Sequence, residues 1–116
     1  RIPDLSFVAH GNEKVIQERG IVGAADAVLE VRSPADETYD KLPFFAKLGV
    51  REIVVIDRDS RRPEVFRLAG RTYLAVAGSP DGWVIAEVWG VRLRRGAEPD
   101  RLRIEACDEP ARQVEL

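Results

Sequence analysis

The sequence predicts a fold that mixes helix and strand, α/β or α+β, organised around a mixed β-sheet. Two patterns carry this expectation: a strand, helix, strand succession from Asp26 to Asp57, and an antiparallel hairpin from Val65 to Val76. Parallel strands need a crossover, usually helical and right-handed, whereas a hairpin joins antiparallel neighbours. A chain holding both must build a sheet of both kinds.

In chain order, Asp4 to Ala9 reads as a strand, introduced by Pro3 and closed by the turn-like His10-Gly11-Asn12. Glu13 to Arg19 suits a short helix ahead of Gly20. Asp26 to Arg32 is a second strand, apolar in its middle and polar at its ends, as in strands buried on both faces. Ser33-Pro34 ends it, because proline lacks an amide donor and restricts its predecessor. From about Asp40 to Leu48 the apolar residues Leu42, Phe45 and Leu48 recur at helical spacing, with Phe44 widening the stripe. Pro43 is tolerable if Asp40 is the N-cap, since proline then falls in the first turn, where amides lack intrahelical partners. Gly49 is a natural stop.

Val50 to Asp57, with Ile53-Val54-Val55-Ile56, is another buried strand. Val65 to Leu68, the Ala69-Gly70 turn and Thr72 to Val76 form the hairpin, and Trp83 to Val88 adds a strand after Gly78-Ser79-Pro80-Asp81-Gly82. The charged stretch from Arg92 to Leu116, with Pro99 and Pro110, predicts a peripheral tail holding one more strand near Leu102 to Ala106.

Length and composition bound the function. The 116 residues fit one domain, 1–116, and 45% hydrophobic with 33% charged residues is the balance of a folding chain. No stretch approaches the roughly 20 apolar residues of a membrane span, and no signal peptide is visible, so a cytoplasmic protein is expected. The chain has no methionine and opens at Arg1 directly ahead of a strand, which points to a preceding segment that is missing. The lone Cys107 has no partner for a disulfide or CxxC motif and reads as an ordinary thiol. A net charge of −2 argues against a sequence-independent nucleic-acid coat and leaves a nuclease open. The arginines at 51, 58, 61, 62, 67 and 71, and again at 92, 94, 95, 101 and 103, read first as solvated surface.

Chemistry concentrates near Asp26 and Glu30, because charges in a buried strand require compensation. The two share a side of the strand but stand about 13 Å apart at roughly 3.3 Å per residue, so one cation would meet both only at full reach. A closer partner for Glu30 would sit on an adjacent strand about 4.8 Å away, and Asp4 is the best candidate. His10, beside Gly11, reads as an exposed loop residue. Trp83 and Trp89 suit a core or dimer contact better than stacking on bases.

Several segments, in their order, carry a family likeness: Arg1-Ile2-Pro3-Asp4 before a hydrophobic strand; Asp26-Ala27-Val28-Leu29-Glu30-Val31 leading into Ser33-Pro34; Asp40-Lys41; and Gly49-Val50-Arg51-Glu52 ahead of a strand ending at Asp57. Over roughly Arg1 to Leu93 the chain resembles the Uma-two family of bacterial restriction endonucleases, within the PD-(D/E)XK nuclease superfamily. The resemblance implies a restriction endonuclease-like core, a DNA substrate and a homodimer. It also implies Mg²⁺ or Mn²⁺ held by Asp4 and Glu30, with Asp26 as a further ligand or support. The family lysine, moved from the strand to the following helix, is matched by Lys41, which stands at a helix start where the dipole does not favour a cation.

Such a set suits phosphodiester hydrolysis: two carboxylates hold a hard cation that activates water, and an ammonium offsets charge growing on phosphoryl oxygens. Two positions depart from the pattern. Ala25 replaces the usual proline, and Arg32, which stays protonated and cannot readily act as a base, occupies the strand position of lysine in more typical members. The family also usually carries an N-terminal helix ahead of the position of Arg1. The alternative to a working endonuclease is a catalytically inactive module that keeps the sheet and binds DNA or protein.

Overall fold

The computed structural model describes residues 5–7, 16–17, 20–21, 26–33, 38–98 and 101–116. The described strands are β1 (Leu5–Phe7), β2 (Ile16–Gln17), β3 (Gly20–Ile21), β4 (Ala27–Arg32), β5 (Glu52–Asp57), β6 (Pro63–Ala69) and β7 (Thr72–Ala75), then β8 (Val84–Ala86), β9 (Val91–Arg95), β10 (Leu102–Ala106) and β11 (Gln113–Glu115). Between β4 and β5 a 3-10 turn over Thr38–Lys41 runs into the α-helix α1 (Leu42–Leu48).

The main sheet has the order β1-β4-β5-β6-β7. It is mixed, as predicted: β4 and β5 are parallel, with Glu30 opposite Val55 and Arg32 opposite Asp57, whereas β1, β6 and β7 join antiparallel. A second sheet, β11-β10-β9-β8, is wholly antiparallel. This α+β arrangement accords with a restriction endonuclease-like fold.

Strand alternation divides the main sheet into two faces. One face contributes Val54, Ile56 and Val65 to a core shared with Val84, Ala86, Leu93 and Leu102 of the second sheet. The other packs Val28, Ile53 and Val55 against Val50 and Phe45 of α1. β5 is buried over Glu52–Ile56, but β4 is not buried throughout: Val31 emerges with 43% exposure. Predicted burial on both faces therefore fails at the end of β4.

Helix α1 has seven residues, too few to stand alone in water, and depends on burying Phe45, which is 2% exposed. Its cap is Lys41 in a helical conformation with no side-chain cap bond, so the expectation of Asp40 as N-cap is corrected. Asp40 lies inside the 3-10 turn, and a helical turn already feeding α1 leaves no role for a capping carboxylate. Pro43 does fall in the first turn. Gly49 closes the helix at φ 78°, its amide and that of Val50 bonding the carbonyls of Ala46 and Phe45 at 3.0 and 3.2 Å. Gly49→Ala is expected to cost about 1 kcal/mol in urea unfolding, because a Cβ disfavours that left-handed conformation.

Two further expectations are corrected. Within the predicted helix Glu13–Arg19, Ile16–Gln17 is a strand paired with Gly20–Ile21; the other positions of that stretch lie outside the described residues. A β-branched isoleucine opposite another favours pairing over so short an unanchored helix. The charged segment after Arg92 is not a peripheral tail, since β9, β10 and β11 are three strands of the second sheet and bury Leu93 and Leu102. The strand predicted over Trp83–Val88 is shorter, Val84–Ala86, because the chain turns at once and the Gly90 amide bonds the carbonyls of Ala86 and Glu87.

The Tyr73 hydroxyl donates to the Val50 carbonyl at 2.7 Å, and burial pushes its pKa up to about 12. A phenol pKa raised on folding contributes stability that is intact below the unfolded value near 10 and lost as pH climbs towards 12. The melting temperature should therefore fall between pH 10 and 12, and Tyr73→Phe should flatten that decline.

Candidate functional site

Glu30 lies on the helix-side face of β4 and is 1% exposed. A carboxylate so buried in a strand must be compensated. The turn entering α1 crosses this part of the sheet, and the Lys41 ammonium donates to Glu30 Oε1 at 3.0 Å while keeping partial contact with solvent. Two of the residues singled out from the sequence thus meet, eleven positions apart in the chain.

Asp26 precedes the same strand on the same side. Its Oδ1 accepts from the Arg51 guanidinium at 3.0 Å, and its carbonyl accepts the Arg51 amide at 3.1 Å. Asp26 and Glu30 are therefore each held by their own cation. Asp4 lies outside the described residues, as does His10. The backbone of Leu5 pairs with Leu29, the neighbour of Glu30. Among the described residues no three His, Cys, Asp or Glu side chains converge as a metal cluster.

Beyond Glu30 the same face carries a polar group that no sequence motif brings together. Arg32 bonds Asp57 Oδ2 at 3.3 Å and lies over the Tyr39 ring at 5.0 Å. The Tyr39 hydroxyl in turn donates to Glu64. Burial, reinforced by that carboxylate, raises the pKa of Tyr39. Hydrogen bonds from the Ser60 amide, then the Asp59 amide, hold the Asp57 carboxyl below its usual range. The signal was available: once β4 and β5 are parallel, residues 32 and 57 end neighbouring strands in register.

Glu52, part of the family likeness but without a role there, is a second buried glutamate. Glu52 is fully buried on β5 and accepts from Arg67 at 3.5 Å and from the amides of Val88 and Trp89 at 3.2 and 3.4 Å. It ties the main sheet to the turn after β8. Trp83 is buried under the guanidinium groups of Arg92 and Arg94, at 4.0 and 4.7 Å from its ring centre, in keeping with a core anchor.

With this geometry in view, a family model described as "Uma2: Putative restriction endonuclease" matches residues 1–97. The chain belongs to the Uma2 family. No curated protein matches it. The Uma2 match covers β1 to β9, including Asp26, Glu30, Lys41 and Arg32, and ends before β10. Membership points to nuclease function on DNA, in a class of enzymes that generally uses divalent metals. No described helix is long and apolar enough to cross a membrane.

Proposed function

We propose that this Uma2 protein is a metal-dependent DNA endonuclease hydrolysing phosphodiester bonds where Glu30 meets Lys41. The observation that carries the reading is a nearly inaccessible carboxylate bonded at 3.0 Å to an ammonium that reaches solvent. Glu30 is a hard oxygen donor of the kind Mg²⁺ or Mn²⁺ takes; paired with Lys41 it brings no net charge, so such an ion needs a second carboxylate beside it. Asp4 is proposed as the second ligand, supported by the pairing of adjacent Leu5 beside Glu30. Asp26, bonded to Arg51, suits a supporting role that steadies the start of β4.

When bound, the ion would make its water a better nucleophile and polarise the phosphoryl group. The protein's own contribution is positional: Glu30 orients, and the Lys41 ammonium stabilises charge growing on the phosphoryl oxygens. Titration calorimetry with Mn²⁺ and Mg²⁺ is expected to show binding that Glu30→Ala abolishes, and unchanged binding in that variant would overturn the assignment. Metal-dependent cleavage of plasmid, linear duplex or single-stranded DNA is the matching activity. DNA binding with no cleavage of any form would instead favour an inactive module.

The homodimer implied by membership has a candidate contact in β11, an edge strand with Val114 half exposed. Light scattering that reports monomer alone at high concentration would remove it.

A further inference from the structure

The polar face of β4 continues past Glu30. Arg32 shares that side of the sheet, about 6.6 Å farther on at 3.3 Å per residue. One terminal nitrogen of its guanidinium bonds Asp57, and the plane rests on Tyr39, yet Nε is buried without a hydrogen-bond partner among the described residues. A buried N–H donor left unpaired is costly, but a phosphate cannot reach it either; the part of this arginine open to a ligand is the partly exposed end of its guanidinium.

Arg32 lines a cavity of about 240 Å³ together with Tyr39, Asp57, Ser60, Arg62 and Glu64. A wider groove of about 800 Å³ shares Arg62 and Glu64 with it and runs on to Arg94 and Arg95. The acids along this path, Asp57, Glu64 and Asp81, remain anions, but each is turned to a donor of the protein, and the arginines Arg32, Arg62, Arg94 and Arg95 outnumber them. Asp57 accepts the Ser60 and Asp59 amides at 2.8 and 3.0 Å, Glu64 accepts the Tyr39 hydroxyl, and Asp81 accepts the Ser79 hydroxyl. Arg62, by contrast, is exposed and its guanidinium makes no ion pair among the described residues. Arg94 repeats the features of Arg32, resting on an aromatic ring with a buried, unpartnered Nε.

We propose that Arg32, Arg62 and Arg94 form a track for the phosphodiester backbone of a nucleic-acid strand leading away from Glu30 and Lys41. This inference rests on the nuclease reading above. Guanidinium groups grip phosphate through paired donors while stacked on aromatic rings, and such contacts position a strand without reading its sequence. A chain of net charge −2 gains little attraction from its overall field, so a local cationic path must supply the grip.

The test is fluorescence anisotropy of fluorescein-labelled single-stranded and duplex DNA in EDTA, where no metal-dependent cut occurs, across a salt series. Arg62→Gln and Arg94→Gln should each weaken binding several-fold and reduce the logarithmic salt slope by about one. Arg71→Gln, on the β6–β7 turn at the far end of the sheet, should bind as the wild type does, and thermal melts should show all three variants folded. Arg32→Lys, which keeps the charge and loses the fork, should weaken binding less than Arg32→Gln.

The track is overturned if wild-type protein fails to bind DNA, if Arg62→Gln and Arg94→Gln bind normally, if Arg71→Gln loses as much, or if polyglutamate occupies the protein as well as DNA does. Cleavage abolished by Glu30→Ala with binding untouched by Arg62→Gln would overturn the track alone. Weaker binding in Arg62→Gln by a protein that never cuts would uphold the track and overturn the nuclease reading.

Discussion

Lys41→Ala is expected to lower metal-dependent DNA cleavage by about 100-fold or more, the usual loss when one preorganised donor to a developing oxyanion is removed. The same change should destabilise the protein in EDTA, because it leaves Glu30, 1% exposed, without its cation. Breaking a buried pair costs roughly 3–5 kcal/mol; the partial exposure of Lys41 lowers the expected cost to about 2 kcal/mol. A divalent ion at Glu30 would replace part of the lost charge, so Mg²⁺ or Mn²⁺ should raise the melting temperature of Lys41→Ala more than that of the wild type. Calorimetric melts with and without metal, beside single-turnover cleavage assays, measure both effects. Undiminished cleavage in this variant would remove Lys41 from the mechanism, and equal metal shifts would separate the ion from Glu30.

Glu52→Ala should be the most damaging single substitution to the fold, costing about 3–5 kcal/mol in urea unfolding. It would remove the acceptor of the Val88 and Trp89 amides, strip Arg67 of its buried partner and open a cavity beside β5. Glu52→Leu should recover the packing and little of the stability, since the amides would still lack an acceptor. Glu52→Gln should do better than either, because it retains one carbonyl oxygen. If leucine proved as stable as the wild type, the glutamate would be packing material and not the tie between the sheets.

The mixed sheet was legible because its evidence is local: Ile53-Val54-Val55-Ile56 flanked by a breaker and a turn, and a hairpin whose glycine reaches φ 67° at Gly70. That Glu30 needs a partner was legible as chemistry, since a charge in a buried strand demands one, but strand geometry pointed to Asp4; the bond to Lys41 follows from the turn that enters α1, and Lys41 stood out only through the family resemblance. Asp26 was harder: its binding to Arg51 depends on how two strands begin side by side, which no spacing rule reveals. In the second sheet the strands near Trp83–Val88 and Leu102–Ala106 were legible, whereas β9 was not, because the charge of Val91-Arg92-Leu93-Arg94 masks an alternation that buries Leu93 between half-buried arginines. Asp40 suits a cap because it would put Pro43 in the first turn, and only the 3-10 turn shows why no cap is needed.

Lys41 stands four residues ahead of Phe45, about one helical turn, so the backbone of the lysine and the ring that anchors α1 belong to one short rigid piece. Buried Phe45 thus fixes the backbone from which the lysine reaches Glu30, while the flexible stem lets the ammonium adjust. In the proposed centre, the backbone that carries the lysine would therefore be in place before any substrate arrives, leaving only its side chain to adjust.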